Sequence, residues 1–434
     1  MADLARGTRL LRPSPAAAAL RGLTPLLVGV AAAYALHAYL EPLLQHFELP
    51  GPFYVKVLMD IGINVILAVS LTIVNGFTGQ FSIGHAGFMA IGGYTAAAIV
   101  YYTSMRVWGD VAVHGGTLSG GADGWLLSGD LLFVGALIAG GLVAALAGLI
   151  VGLPSLRLRG DYLAIVTLGF GEIVRVLLQL SSDVLYFPDE VQQASTLTLA
   201  TSLGGALGFS GIPFYSTLFW IYLCVAITLL VAFRLKESTH GRAYLSIRED
   251  EVAAEAMGVP TTRCKVQAFV IAAFLAGIAG GLFAHEVGTS LNPRELGFQK
   301  SFDIVIMVVL GGMGSISGAV VAAGLVTILP ELLRQPPPVW PLGVLAVAAA
   351  LAFGGARRWR RAAWTATIFA ALEIVRVRAV AAGVNLAEYR MVIYALCLIL
   401  MMILRPQGLF GLREVWDFIR GARPRKRPVS PSTS

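Results

Sequence analysis

Apolar runs of about the length a bilayer core needs, about 20 residues, recur along this 434-residue chain, separated by short polar or basic stretches. On that spacing, membrane spans are predicted near 22–40, 53–74, 83–102, 131–152, 161–180, 214–233 and 267–285. A longer apolar segment covers 301–330, and three further runs lie at 339–354, 363–378 and 391–404. Gly311-Gly312-Met313-Gly314 divides the long segment and predicts a break there. Pro154-Ser155 and Arg159-Gly160 separate two other runs, and Asp161 can cap the helix that follows.

The pattern predicts an all-α, polytopic transmembrane helical bundle of about 10 to 12 spans. Orientation follows from the basic residues. The N-terminus (1–21), 153–160, 234–266, 355–361 and the tail from Arg405 hold most of the 32 Lys and Arg, whereas 103–130 and 181–213 hold only Arg106. Basic loops stay in the cytoplasm. All five stretches share one side only if 301–330 crosses twice, which puts both chain ends in the cytoplasm. The Arg-, Pro- and Ser-rich residues 412–434 read as a basic, disordered tail near anionic lipid.

Composition supports the membrane reading: 57% of residues are hydrophobic and 13% charged, about half the charge of a soluble domain. The net charge of +7 resides in short loops, which argues against nucleic-acid binding. Cys224, Cys264 and Cys397 lack disulfide or metal spacing. No Gly-x-x-x-x-Gly-Lys-Ser/Thr loop occurs, no metal-ligand cluster stands out, and neither a cofactor nor enzymatic chemistry is expected.

Three stretches carry polar groups that lipid tolerates poorly. Residues 75–88 place Gln80, Ser82 and His85 around two glycines that bracket a turn. Ala86, Ala90, Gly93 and Ala97 then form a stripe of small residues suited to close helix packing. The polar trio either lines a path or forms an interhelix hydrogen-bond cluster. In 156–175, Glu172 lies roughly 16 Å into its helix at 1.5 Å per residue, and Arg175 follows at i+3 and can pair with it. That pair is either structural or in contact with a zwitterionic solute. In 240–260, three acids precede an Ala-rich segment closed by Gly258 and Pro260, predicting one short capped helix over 246–258. Val252, Ala253, Ala256 and Met257 give it an apolar face, suited to a plain connector or to docking.

These stretches, with 310–318 and 404–409, resemble the LivM-type permease subunit of bacterial ATP-driven importers for branched-chain amino acids. The resemblance runs from about 55 to 334 and from 388 to 411. It implies a permease in the bacterial inner membrane that shares a solute pathway with a second permease subunit. It also implies two ATP-binding subunits at the cytoplasmic face and a periplasmic solute-binding protein. Glu251, Val252, Ala253, Glu255, Ala256, Met257 and Gly258 then match an ATPase-coupling motif, and Gln80, Ser82, His85, Thr167, Glu172 and Arg175 become pathway candidates. Residues 335–387 interrupt the resemblance and read as an inserted transmembrane hairpin between a permease core (22–334) and a last helix (388–411). Alternatives are a urea or short-amide permease of the same family, an ion-coupled secondary transporter using Glu172 and Arg175, or a membrane scaffold.

Overall fold

The computed structural model describes residues 15–40, 51–121, 124–155, 162–286, 290–334 and 407–411, with scattered single positions that include Glu414 and Val415. Asp161, Cys397, most of the proposed hairpin 335–387 and most of the last helix and tail lie outside the described residues. What is described is helical, and the helices are numbered here in chain order. They are α1 (Pro15–Ala35), α2 (Gly51–Leu71), α3 (His85–Val107), α4 (Ser128–Ser155), α5 (Tyr162–Gln179), α6 (Pro188–Gln193), α7 (Thr196–Thr201) and α8 (Leu218–Glu237). After these come α9 (Thr239–Glu249), α10 (Glu251–Ala256), α11 (Thr261–Ala284), α12 (Phe298–Gly311) and α13 (Ile316–Arg334).

Five described segments are long and apolar enough to cross a membrane: α2 with its π-helical continuation, α4, α5, α8 and α11. The protein is a multi-pass membrane protein. At 23 residues α3 is long enough as well, but its own sequence is rich in Gly, Ala, Thr and Ser. It is a core helix that owes its place to packing.

Helices α3, α4 and α11 form the centre, and glycines set their spacing. A Cβ on Gly93 would stand 2.9 Å from the Gly280 carbonyl oxygen, and one on Gly140 would stand 2.6 Å from that of Gly92. Gly92 itself meets the backbone of Gly277. Gly93, one member of the small-residue stripe of α3, therefore meets α11 backbone to backbone, with Gly92 beside it. Helices α2, α12 and α13 pack along one side of this core, and α1 and α8 pair against α2.

Three details depart from the sequence reading. Gly76 does not flank a turn: the chain stays helical as a π-segment through Thr72–Thr78, and only Gly79, at φ +71°, breaks it. Helix α11 starts at Thr261, earlier than the apolar run, and its polar opening includes Lys265, which is buried and pairs with Glu251 at 2.6 Å. The single helix expected over 246–258 is two helices. Asp250 sits between α9 and α10 at φ −159°, ψ 112°, and its carboxylate accepts from the Val252 and Ala253 amides at 2.9 and 3.0 Å. The side chain outcompetes the helical carbonyls for those amides, so the helix ends and restarts. The break predicted at 311–314 is present, between α12 and α13.

Candidate functional site

Helix α12 organises the first polar region. Its 14 residues span roughly 21 Å at 1.5 Å per residue, too short for a bilayer core of about 30 Å. Its first turn lies against the middle of α5. There Glu172 accepts a hydrogen bond from the Phe298 amide at 2.9 Å on one oxygen and from Arg175 Nε at 2.6 Å on the other. The carboxylate thus caps a positive helix terminus while holding its own i+3 partner. Gly297 makes room for both: a Cβ there would stand 2.9 Å from Arg175 Cδ and 3.3 Å from Glu172 Oε1.

This pair is accessible. The side chains of Glu172 and Arg175 are 33% and 27% exposed, and Phe298, Gln299 and Phe302 of α12 are exposed beside them. Half-buried Gln80 and exposed Phe81 belong to the loop before α3. The other three sequence candidates are inside. Thr167 Oγ1 accepts from the Ile83 amide at 3.1 Å, His85 Nε2 lies 2.8 Å from Ser70 Oγ, and the Ser82 amide donates to Asn75 Oδ1 at 3.2 Å. All three are buried and fix the loop 79–84 between α2 and α5, while Ser301 of α12 accepts from the Ala86 amide at 3.2 Å. Ser82, His85 and Thr167 therefore position the face that Gln80, Glu172 and Arg175 present.

The other flank of α12 carries a charge cluster that the sequence analysis missed. Lys300 Nζ donates to Asn64 Oδ1 at 3.1 Å, and Asn64 Nδ2 donates to Thr327 Oγ1 at 2.8 Å. Lys56 Nζ lies 3.8 Å from the carboxylate of Glu286, which is fully buried and accepts no hydrogen bond among the described residues. Lys56, Asp60 and Asn64 recur every fourth residue on α2, a polar stripe in an apolar helix that could have flagged this side. Ionisable groups at such depth mark functional interiors or wet cavities.

The second region is at the basic end of the bundle. Asp250 starts α10, and Gly258, at φ +84°, ends its turn. Ala254 faces inward; Val252, Ala253, Glu255, Ala256 and Met257 face solvent, with Val252 64% and Met257 85% exposed. An apolar tip thus projects from a rigid mount. Arg248 at the end of α9 donates to the Gly76 carbonyl at 3.0 Å, and a Cβ on Gly76 would stand 2.7 Å from the Gly314 amide nitrogen. Lys236, at the end of α8, donates to the Gly314 carbonyl at 2.9 Å and pairs with Glu414.

Glu414 in turn starts α13, accepting from the amides of Ile316 and Ser317 at 3.1 and 2.9 Å. Burial alone would raise its pKa, but the hydrogen bonds from Lys236 and Ser317 outweigh it and hold the carboxyl below its usual range. Just before it, Leu409 and Phe410 donate amide hydrogen bonds to the carbonyls of Leu310 and Gly311, at 2.7 and 3.2 Å. Stretches separate in sequence, around 76, 248, 312 and 409, thereby become one knot that connects α10 to the α12–α13 break. Among the described residues no group of His, Cys, Asp or Glu is arranged to hold a metal ion.

The family model described as branched-chain amino acid transport system / permease component matches residues 53–338. The chain is 37% identical over 289 residues to the high-affinity branched-chain amino acid transport system permease protein LivM of Salmonella typhimurium, covering 63% of this chain and 62% of that protein. It is 36% identical over 289 residues to LivM of Escherichia coli, with the same shares. To the LivH permease protein of Escherichia coli it is 27% identical over 272 residues, 62% of this chain and 81% of that one. The chain thus spans about 62% of the length of the two LivM relatives. No solved structure matches it.

Proposed function

Since the chain belongs to the family of branched-chain amino acid transport permeases, we propose that it forms one side of a solute pathway in an ATP-driven importer of the bacterial inner membrane. The carrying observation is the mount of α10. A solvent-facing apolar tip, Val252 and Met257, is tied through Arg248, Gly76 and Gly314 to the break between α12 and α13. A partner that moves this tip moves the start of α13 and the end of α12 with it. An ATP-binding subunit docked on residues 251–258 is such a partner, so the basic end faces the cytoplasm. The far end then meets a periplasmic binding protein.

The pathway in this reading runs along the exposed face of α12. Each of Glu172 and Arg175 costs about 2.5 kcal/mol or more at mid-membrane, which their mutual ion pair only partly offsets, and their accessibility suits a surface that a second, related permease completes. The likeness to both LivM and LivH supports such a pair of similar subunits. A small polar solute, first a branched-chain amino acid and second urea or a short amide, crosses between them, with Gln80, Glu172 and Arg175 as its polar contacts.

The test is reconstitution of the chain with its neighbouring-gene partners in liposomes. Uphill leucine uptake that requires internal ATP, and that is lost in Met257→Asp at normal expression, is the expected result. Uphill uptake by the chain alone, driven by an ion gradient, would establish the secondary-transporter reading instead.

A further inference from the structure

A cavity of about 430 Å³ lies at the end of the bundle away from α10, between α3, the end of α5 and α7. Its wall is aliphatic: Ile91, Ala98 and Ile99 of α3 face Leu178, Leu199 and Leu203. Thr103 and Thr196 also line it, and three of its polar groups are already spent. Tyr94 Oη donates to the Leu291 carbonyl at 2.7 Å, Tyr102 Oη to that of Ser202 at 2.5 Å, and Thr95 Oγ1 to that of Ile91 at 2.7 Å. A zwitterionic solute would find few groups in this space to replace its water, and a mostly apolar cavity suits hydrocarbon.

The mouth differs from the depth. Arg106, in the last turn of α3 and the one Lys or Arg within 103–130 and 181–213, lines the cavity and is exposed. Its Nε and Nη2 donate to the carbonyls of Val191 and Ala194 at 3.3 and 2.7 Å, which fixes the guanidinium at the end of the cavity nearest the C-terminus of α3. Arg has five donors, so part of this fork remains for an anion. Trp108 and the 71%-exposed Trp125 stand at the same end of the bundle, where indoles mark the headgroup zone. From Ile91 to Arg106, α3 rises roughly 22 Å at 1.5 Å per residue, somewhat more than one leaflet's share of a core of about 30 Å.

We propose that this cavity is a seat for a glycerophospholipid of the outer leaflet, with an acyl chain along α3 against α7 and its phosphate on Arg106. The bound lipid fills the seam that connects α3 to the loop 181–213, and thereby stiffens the external surface.

The experiment places the assembled importer in nanodiscs containing a phospholipid with a photoreactive group near the end of one acyl chain. Irradiation, digestion and mass spectrometry then map the label. Label concentrated on 91–103 and 196–203, well above that on the exposed Leu142 and Leu146 of α4, is expected. Ala98→Trp, which fills the cavity, should reduce it to the α4 level, and Ala200→Trp does the same from the opposite wall should the first variant not assemble. Arg106→Gln should lower it about fivefold for an anionic lipid, the worth of one basic side chain near such a surface. A uniform label, or one indifferent to both tryptophans, overturns the proposal. Displacement of the label by excess leucine also overturns it, by making the cavity a station for solute.

Discussion

Replacing Glu172 by Ala removes two contacts at once, the Arg175 ion pair and the acceptor on the first amide of α12. The cost of the second is that of a lost helix cap, about 1 kcal/mol. The cost of the first depends on what the pair faces. In lipid, an unpaired arginine at the middle of a span costs about 2.5–3.5 kcal/mol. On a hydrated pathway, a pair that is about 30% exposed is worth between about 0 and 1 kcal/mol. A wet face therefore predicts a total loss of about 1–2 kcal/mol for Glu172→Ala, with less than about 1 kcal/mol returned by adding Arg175→Met. A lipid face predicts a loss of about 3.5–4.5 kcal/mol, most of it returned by the second substitution. The assay is a four-protein thermal unfolding cycle on the assembled complex in nanodiscs, with uptake measured in parallel. A large loss rescued by Arg175→Met refutes the assignment of this face to the pathway, whatever happens to uptake.

Val252→Asp should leave unfolding within about 0.5 kcal/mol, as for other surface changes, yet abolish co-purification with the ATP-binding subunits; retained co-purification places the docking surface elsewhere. Gly258→Ala forces a Cβ into a φ of +84°, at about 1–2 kcal/mol, and should uncouple ATP hydrolysis from uptake at normal expression. Because the carboxyl of Glu414 titrates below its usual range in the fold, its contribution is complete above the unfolded value of about 4.3. That contribution is lost as pH falls through the lowered folded value. Stability of the wild type should thus fall as pH drops from about 4.3 through the lowered folded value, and Glu414→Gln should be less stable at neutral pH and change less over that acid window. Gly92→Leu drives a side chain into the backbone of Gly277 and should block assembly, read as loss of the folded chain from membranes.

Much of this architecture is written locally. The bilayer sets the length of an apolar run, so α2, α4, α5, α8 and α11 could be read off directly. Helix periodicity joins Glu172 to Arg175 and lines up the small residues of α3, because i+3 and i+4 neighbours meet whatever the rest of the chain does. The four residues Gly311-Gly312-Met313-Gly314 announce their own break. Asp250 lay at the edge of this legibility: its acidity was visible, but whether it would continue a helix or cap a new one depended on a local competition for two amides.

What only the tertiary structure decided is which distant groups meet. The amide that Glu172 caps is 126 positions away, and the partners of Asn64 lie 236 and 263 positions off. Such contacts leave no period or spacing in the sequence, because they are fixed by how helices pack and not by how any one of them winds. The same holds for the knot at the basic end, where glycines far apart admit one another's backbones. A residue type can reveal that a side chain needs a partner; the three-dimensional packing of the bundle selects it.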